Sequence, residues 1–536
     1  MSLADSYFKL IPRAIIATTL LVPHTLIAGE LTFNKALNTK GIVYETKRDN
    51  EENQEGYALT VNPSLVSIFQ SKGGYGDFTI NHTKVEQGGY DEAYDRSYTD
   101  YNLNSTATLI ENMLRLSVNA SQGYRAGSQL DGFVTDRLLS ANELSKTKKH
   151  TGLLNFTTPN PSFVGVNWQA LYSKTSADNS INDGSALSSD NKGLTLSLYN
   201  GRNLQRISFN FGAQYNDTTR RNNQNFESQI INGNIRFGLF EDLSFVLLGS
   251  DSAYNISSEN ASANRRNIDT TSYGAGLRWS PSNARYIELS YNKLEQDLQE
   301  TKYLGLSSSW AFTERTRLGL EYGKRFYGDA YSANLSYNLK SFRSSMSYSE
   351  DVTSYSRLSF SEVSLGLFVC PVGSIEFFEC FQPNDLSYVL EPGEEFRSYN
   401  DITSDITDEV ILNKVGQIAL GYDKKKLKLS LNYRYANTEY LESQRLQKNK
   451  TLSVNASYQL AKSTTLSLTT NLSKRNRDSE NAIGNEDTLT ITLGLNRNVS
   501  KRTSISSSFR YLDRDSDSSE RNITDNRLTV GLNYTF

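Results

Sequence analysis

Apolar and polar positions alternate along most of this chain. The final segment sets the pattern: Leu528, Val530, Leu532, Tyr534 and Phe536 fall on one face of an extended strand, and Thr529, Gly531, Asn533 and Thr535 on the other. Leu427, Leu429, Leu431, Tyr433 and Tyr435 alternate in the same way with Lys428, Ser430, Asn432 and Arg434. Tyr273, Ala275, Leu277 and Trp279 alternate with Gly274, Gly276 and Arg278, and Leu318, Leu320 and Tyr322 with Arg317, Gly319, Glu321 and Gly323. A helical period would scatter these apolar residues around the axis, so the pattern predicts strands.

The connections between strands come in two kinds. Short ones include Phe240-Glu241-Asp242, Ser280 to Ala284, Asp423 to Lys426 and Asn498 to Lys501. Longer, polar ones run from Tyr124 to Lys149, Asn255 to Asp269, Arg475 to Asn485 and Arg514 to Asn522. The two kinds alternate. Transmembrane barrels sort their loops in this way, with tight periplasmic turns and larger extracellular loops. The reading is an all-β, closed antiparallel transmembrane β-barrel of about 24 strands (22–26), each roughly 9–14 residues long.

Composition fits that reading. The 536 residues are only 37% hydrophobic and carry a formal net charge of -3, yet they include 32 Tyr and 24 Phe. A barrel needs apolar residues only on its lipid side, so a polar average is compatible with membrane residence. Tyr337, Tyr348, Tyr435, Tyr511 and Phe237 fall near strand ends, where aromatic girdles form. The near balance of 56 basic and 59 acidic residues argues against a nucleic-acid binder.

The first residues read as a secretory signal peptide. Lys9 and Arg13 precede the apolar run Ala14 to Val22, and cleavage is expected after Ala28. That run is too short for a spanning helix. The expected organisation is a signal peptide at 1–28 and one barrel domain at 29–536. The last strand ends in Tyr534 and Phe536, which resembles the signal read by the outer-membrane barrel-assembly machinery. Outer-membrane lipid and that machinery are therefore expected partners.

One segment, 351–413, breaks the pattern. It holds Cys370 and Cys380, followed by acidic runs at Glu391 to Glu395 and Asp401 to Glu409. An exported chain with this pair suggests a disulfide closing a short loop. The segment is expected on the extracellular side, either folded into the mouth as a plug or standing above it.

No catalytic set emerges. Beyond the expected leader, which holds His24, the histidines are His82, read in a strand, and His150, read at a loop edge. Neither has a nucleophile and an acid beside it. No cofactor or metal is implied, and the chain does not read as an enzyme. The polar strand faces carry Arg236, Arg278, Glu288, Arg317, Glu321, Arg325, Arg434 and Arg510, expected to line the lumen. Such residues serve a polar solute, or pair with carboxylates to hold the barrel in register. Lumenal Tyr and Asn also suit sugar hydroxyls.

The stretch Tyr273-Gly274-Ala275-Gly276-Leu277-Arg278-Trp279-Ser280-Pro281-Ser282-Asn283, followed by Tyr286 to Tyr291, resembles the outer-membrane barrels associated with the PEP-CTERM protein-sorting and exopolysaccharide systems of Gram-negative bacteria. Leu339 to Val352, with Ser347-Tyr348-Ser349-Glu350-Asp351, fits the same family pattern. The paired cysteines of the central insertion depart from it. The resemblance implies an outer-membrane location and a role near extracellular polysaccharide production, with polysaccharide and export-system components as partners. It supplies no catalytic residues. The readings that remain are an export channel, a porin for small solutes, and a barrel that presents its outer loops to other components.

Overall fold

The computed structural model describes residues 29–49, 53–89, 94–126, 138, 144–177, 188–204, 206–220, 225–257, 266–282, 284–296, 299–354, 364–371, 394–400, 410–441, 446–478, 484–517 and 522–536. Among the described residues every regular element is a strand. In chain order they are β1 (Gly29–Arg48), β2 (Gln54–Ser71), β3 (Gly74–Gly89), β4 (Tyr94–Ile110), β5 (Leu114–Ala126), β6 (Leu144–Thr157), β7 (Val164–Ala177), β8 (Ser189–Asn200) and β9 (Ile207–Arg220). There follow β10 (Asn225–Gly238), β11 (Leu243–Ser257), β12 (Arg266–Ser282), β13 (Arg285–Gln296), β14 (Gln299–Thr313), β15 (Thr316–Arg325), β16 (Gly328–Asn338), β17 (Phe342–Ser354), β18 (Ser364–Pro371) and β19 (Glu394–Asn400). The last seven are β20 (Val410–Lys424), β21 (Leu427–Tyr440), β22 (Leu446–Ala461), β23 (Thr464–Asp478), β24 (Glu486–Asn498), β25 (Thr503–Ser516) and β26 (Ile523–Thr535).

Each barrel strand pairs antiparallel with the next, β17 pairs with β20, and β26 returns to β1, which closes a 24-stranded sheet. β18 and β19 form a separate two-stranded sheet inside the long insertion. At the closing seam the register runs from Ala36↔Thr535 to Arg48↔Ile523, and the Phe536 N–H donates to the Lys35 carbonyl at 2.9 Å. Closure leaves no unpaired edge, the condition for strands to sit in hydrocarbon.

The register sorts side chains into two faces. Directly opposed residues share a face, so the row Gly276↔Ser290↔Gly305 is followed from strand to strand around the ring. The other face carries Leu277, Trp279, Leu289, Tyr291 and Leu304; Leu304 is 67% exposed, which marks this as the outer surface. Large apolar side chains on the outside and polar ones within are the reverse of a soluble protein.

Most barrel strands have the expected 9–14 residues, as β15 with 10 does, but several run longer, up to the 20 of β1. β5 reaches Ala126 and β6 begins at Leu144, well inside the expected loop, and β11 and β12 shorten the Asn255 to Asp269 loop likewise. Polar residues continue the ladder because backbone pairing needs no apolar side chain once the strand has left the lipid. For the same reason His150 lies within β6, paired with Ala120 and Lys174, and not at a loop edge. The insertion also narrows, since β17 runs to Ser354 and β20 starts at Val410. The expected leader 1–28 and the side chains of Cys370 and Cys380 lie outside the described residues.

One sector of the loop-side rim departs from a plain cylinder. Val352 and Leu412 are paired and share the outward face with Tyr348 and Ile418. Both are nonetheless buried, in one cluster with Phe226, Tyr254 and Ile268. Phe226, Tyr254 and Ile268 belong to the inward faces of β10, β11 and β12 respectively. An outward face meeting an inward face means that the rim folds over at this sector. The low β15–β16 turn lies beneath, with the Phe326 ring 5.6 Å from that of Tyr254. Burial pushes the Tyr327 hydroxyl in this turn up to about 12.

Candidate functional site

The inner wall is the surface that a solute would meet. Across β21 to β24 it is a ladder of amides and hydroxyls. Asn432, Ser453, Asn471 and Thr490 stand side by side on consecutive strands, and Ser430, Asn455, Thr469 and Thr492 form the adjacent row. Asn455 Nδ2 donates to Ser430 Oγ at 3.4 Å, and Gln417 Nε2 donates to Asn432 Oδ1 at 3.2 Å. Period-two alternation in these strands puts Leu429, Leu431, Leu468 and Leu493 on the opposite, lipid side.

Every lumenal candidate from the sequence (Arg236, Arg278, Glu288, Arg317, Glu321, Arg325, Arg434 and Arg510) occupies the inward face. The structure brings some of them together. Arg278 Nη1 lies 3.5 Å from Glu288 Oε2, and its guanidinium stacks 3.4 Å from the Tyr286 ring centroid. Glu288 is opposed to Ser307, which is opposed to Glu321, so the two acids flank one serine. Arg434 lies apart, opposite Gln417 and Thr451.

Arg510 belongs to a group that the sequence argument missed. Its Nη2 donates to Asp525 Oδ1 at 2.7 Å, Thr46 Oγ1 donates to Asp525 Oδ2 at 3.0 Å, and Arg527 Nη2 lies 3.4 Å from Oδ1. Asp525 is fully buried. One carboxylate thus ties β25, β26 and β1 together across the closing seam. Arg514 lies four residues further along β25 on the same face, and Arg475 is opposed to Glu486 on the neighbouring pair of strands. The signal for this group was available: Asp525 and Arg527 continue the polar set of the last strand one step before Leu528.

Exposure changes along the lumen. Inward residues near the short turns, such as Ser506 and Asn496, are exposed, whereas Arg475, Asp525 and Arg527 near the long connections are buried. On that side Ile42, Tyr44, Ala58, Val85 and Tyr98 form a second apolar cluster, and Leu138, from the connection between β5 and β6, packs into it. Among the described residues, burial of inward side chains thus rises from the turns toward the long connections. His82 and His150 both face outward; His82 Nδ1 lies 2.9 Å from Thr99 Oγ1.

Comparison with protein families matches the Gram-negative porin model to residues 393–536, the part of the chain from β19 to the end. The chain is an outer-membrane β-barrel. A comparison with curated proteins finds no match. Among solved structures the chain is similar to the FrpB iron transporter of Neisseria meningitidis, at 10% identity over 95% of this chain and 83% of that one, with a TM-score of 0.46. It is similar to the siderophore receptor PirA of Acinetobacter baumannii at 10% identity over 94% and 80%, with a TM-score of 0.40. A mutant of the ferric enterobactin receptor PfeA of Pseudomonas aeruginosa gives 11% identity over 93% and 80%, with a TM-score of 0.37. Likeness at this level carries no inference about the solute of this barrel.

Proposed function

We propose that this barrel is a non-enzymatic channel for hydroxyl-rich polar solutes. The observation that carries the reading is the ladder of Asn, Ser and Thr on the inner face of β21 to β24. Amides and hydroxyls exchange hydrogen bonds with water and with sugar hydroxyls at little net cost, so they guide such a solute without trapping it. Narrowing on the loop side, where inward residues are buried, would set the size limit. The resemblance to barrels of exopolysaccharide systems makes a sugar polymer, moving outward, the solute of first interest, and the match to the porin model supports passage of the same chemistry in monomeric form.

The test is reconstitution. The refolded barrel in planar bilayers should give stepwise conductance, and proteoliposomes should swell in isotonic small sugars. Closed bilayers together with sugar-tight vesicles would leave a docking barrel as the better account.

A further inference from the structure

The sign of charge on the inner wall is not that of the chain. Overall, acidic residues slightly exceed basic ones, giving -3. Followed strand by strand around the closed ring, the register places basic residues on the inward face in an excess of roughly two to one over acidic ones. The acids that balance the total are sorted to the lipid-side parity, as Asp217, Asp329, Asp487 and Asp513 are, or to the connections.

Part of the excess lies where inward side chains are buried. Arg475, Arg510, Arg514 and Arg527 belong to three of four adjacent strands, β23 to β26, and share the inward face there with Glu486 and Asp525. Toward the short turns, Arg236, Arg278 and Arg317 add to it, with Glu288 on the same face. Like charge gathered on low-dielectric walls raises the local concentration of counter-ions in the lumen.

We propose that the pore selects anions, and that its preferred solutes are carboxylate-bearing sugars, as monomers or as acidic polymer, in preference to neutral or cationic ones. This rests on the channel reading above. The hydroxyl and amide ladder handles the sugar ring, and the arginine-rich inner wall admits the carboxylate.

The decisive measurement is the reversal potential of the reconstituted barrel across a potassium chloride gradient. Its sign should be that of chloride, with chloride favoured about threefold or more over potassium. In vesicles, galacturonate should enter faster than galactose. Two double variants change the formal charge equally. Lys428→Glu with Arg434→Glu acts on the inner face of β21; Lys448→Glu with Lys450→Glu acts on the outer face of β22. The inner pair should bring the chloride preference to unity or below, and the outer pair should leave it within about twofold of wild type. Heat-modifiable migration on a detergent gel identifies any variant that fails to fold, and the wild-type sign then decides alone. Conductance with potassium preferred or with no preference overturns the anion assignment and leaves the channel standing. Absence of conductance overturns both.

Discussion

Arg510 of β25 donates to Asp525 of β26 at 2.7 Å with neither side chain exposed to solvent. Thr46 of β1 completes the group at 3.0 Å, so one acid serves the strands at both sides of the closing seam. Breaking one partner of a buried pair leaves a charge without compensation, which costs about 3–5 kcal/mol. Asp525→Asn should lower stability by about that amount, measured by urea unfolding in micelles followed by tryptophan fluorescence. The triple variant Asp525→Leu with Arg510→Met and Arg527→Met, which removes the whole charged group, should recover most of the loss. Equal losses in both variants would show that volume, and not charge, matters at the seam.

The fold-over of the rim gives a second expectation. Leu412 is 2% exposed in a cluster with Phe226, Tyr254, Ile268 and Val352. Leu412→Ala should cost about 2–5 kcal/mol by the same unfolding measurement. Leu420→Ala, lower on the outward face of the same strand, should cost less, because only lipid covers it. If the two substitutions have equal cost, Leu412 is not packed against the inner wall of β10–β12.

The ladder on the inner wall is open to direct test. Asn471→Leu, together with Thr490→Leu on the next strand, removes hydrogen-bonding groups from adjacent positions of one row. At about 0.5–1.5 kcal/mol for each hydrogen bond, swelling rates in neutral sugars should fall two- to tenfold while the barrel stays folded. Unchanged rates would place the sugar path elsewhere in the lumen.

The carboxy-terminal residue closes the seam through its main chain and packs through its ring. The Phe536 ring lies 4.9 Å from that of Tyr534, edge to face, and its N–H bonds to Lys35 across the seam. Deleting Phe536 should leave the refolded barrel intact in detergent and reduce its amount in the outer membrane several-fold, as read by fractionation and heat-modifiable migration. That split between refolding and delivery distinguishes a signal for the assembly machinery from a purely structural contact; a fall in both would favour the contact.

What was legible in the sequence follows from period two. Alternation in segments such as Leu427 to Tyr435 assigns the lipid and inner faces without any knowledge of neighbours, because a strand sends successive side chains to opposite sides. Counting the alternating segments gave a strand number that agrees with the 24 observed. Three features required the register. The seam group joins Thr46 to Asp525, which are distant in sequence and adjacent only because β26 closes on β1. The fold-over at Val352 and Leu412 is invisible locally, since both residues obey the outward alternation. The excess of positive charge within emerges only when all strands are aligned, because no strand contributes more than three charges and several contribute none. The strand ends were misjudged for another reason: above the lipid, polar residues pair their backbones as readily as apolar ones, so composition stops marking where a ladder ends.

Among the described residues of the barrel, the irregularities in pairing lie at Thr108/Ile110, Trp279/Ser282, Ala311/Thr313 and Gln459/Ala461, each beside a short turn. Elsewhere an odd change in length would flip every later side chain of that strand, driving guanidinium groups among acyl chains and leucines into water. Natural variants of this chain should therefore gain or lose residues by twos within a stave, or singly only where it bends back on itself.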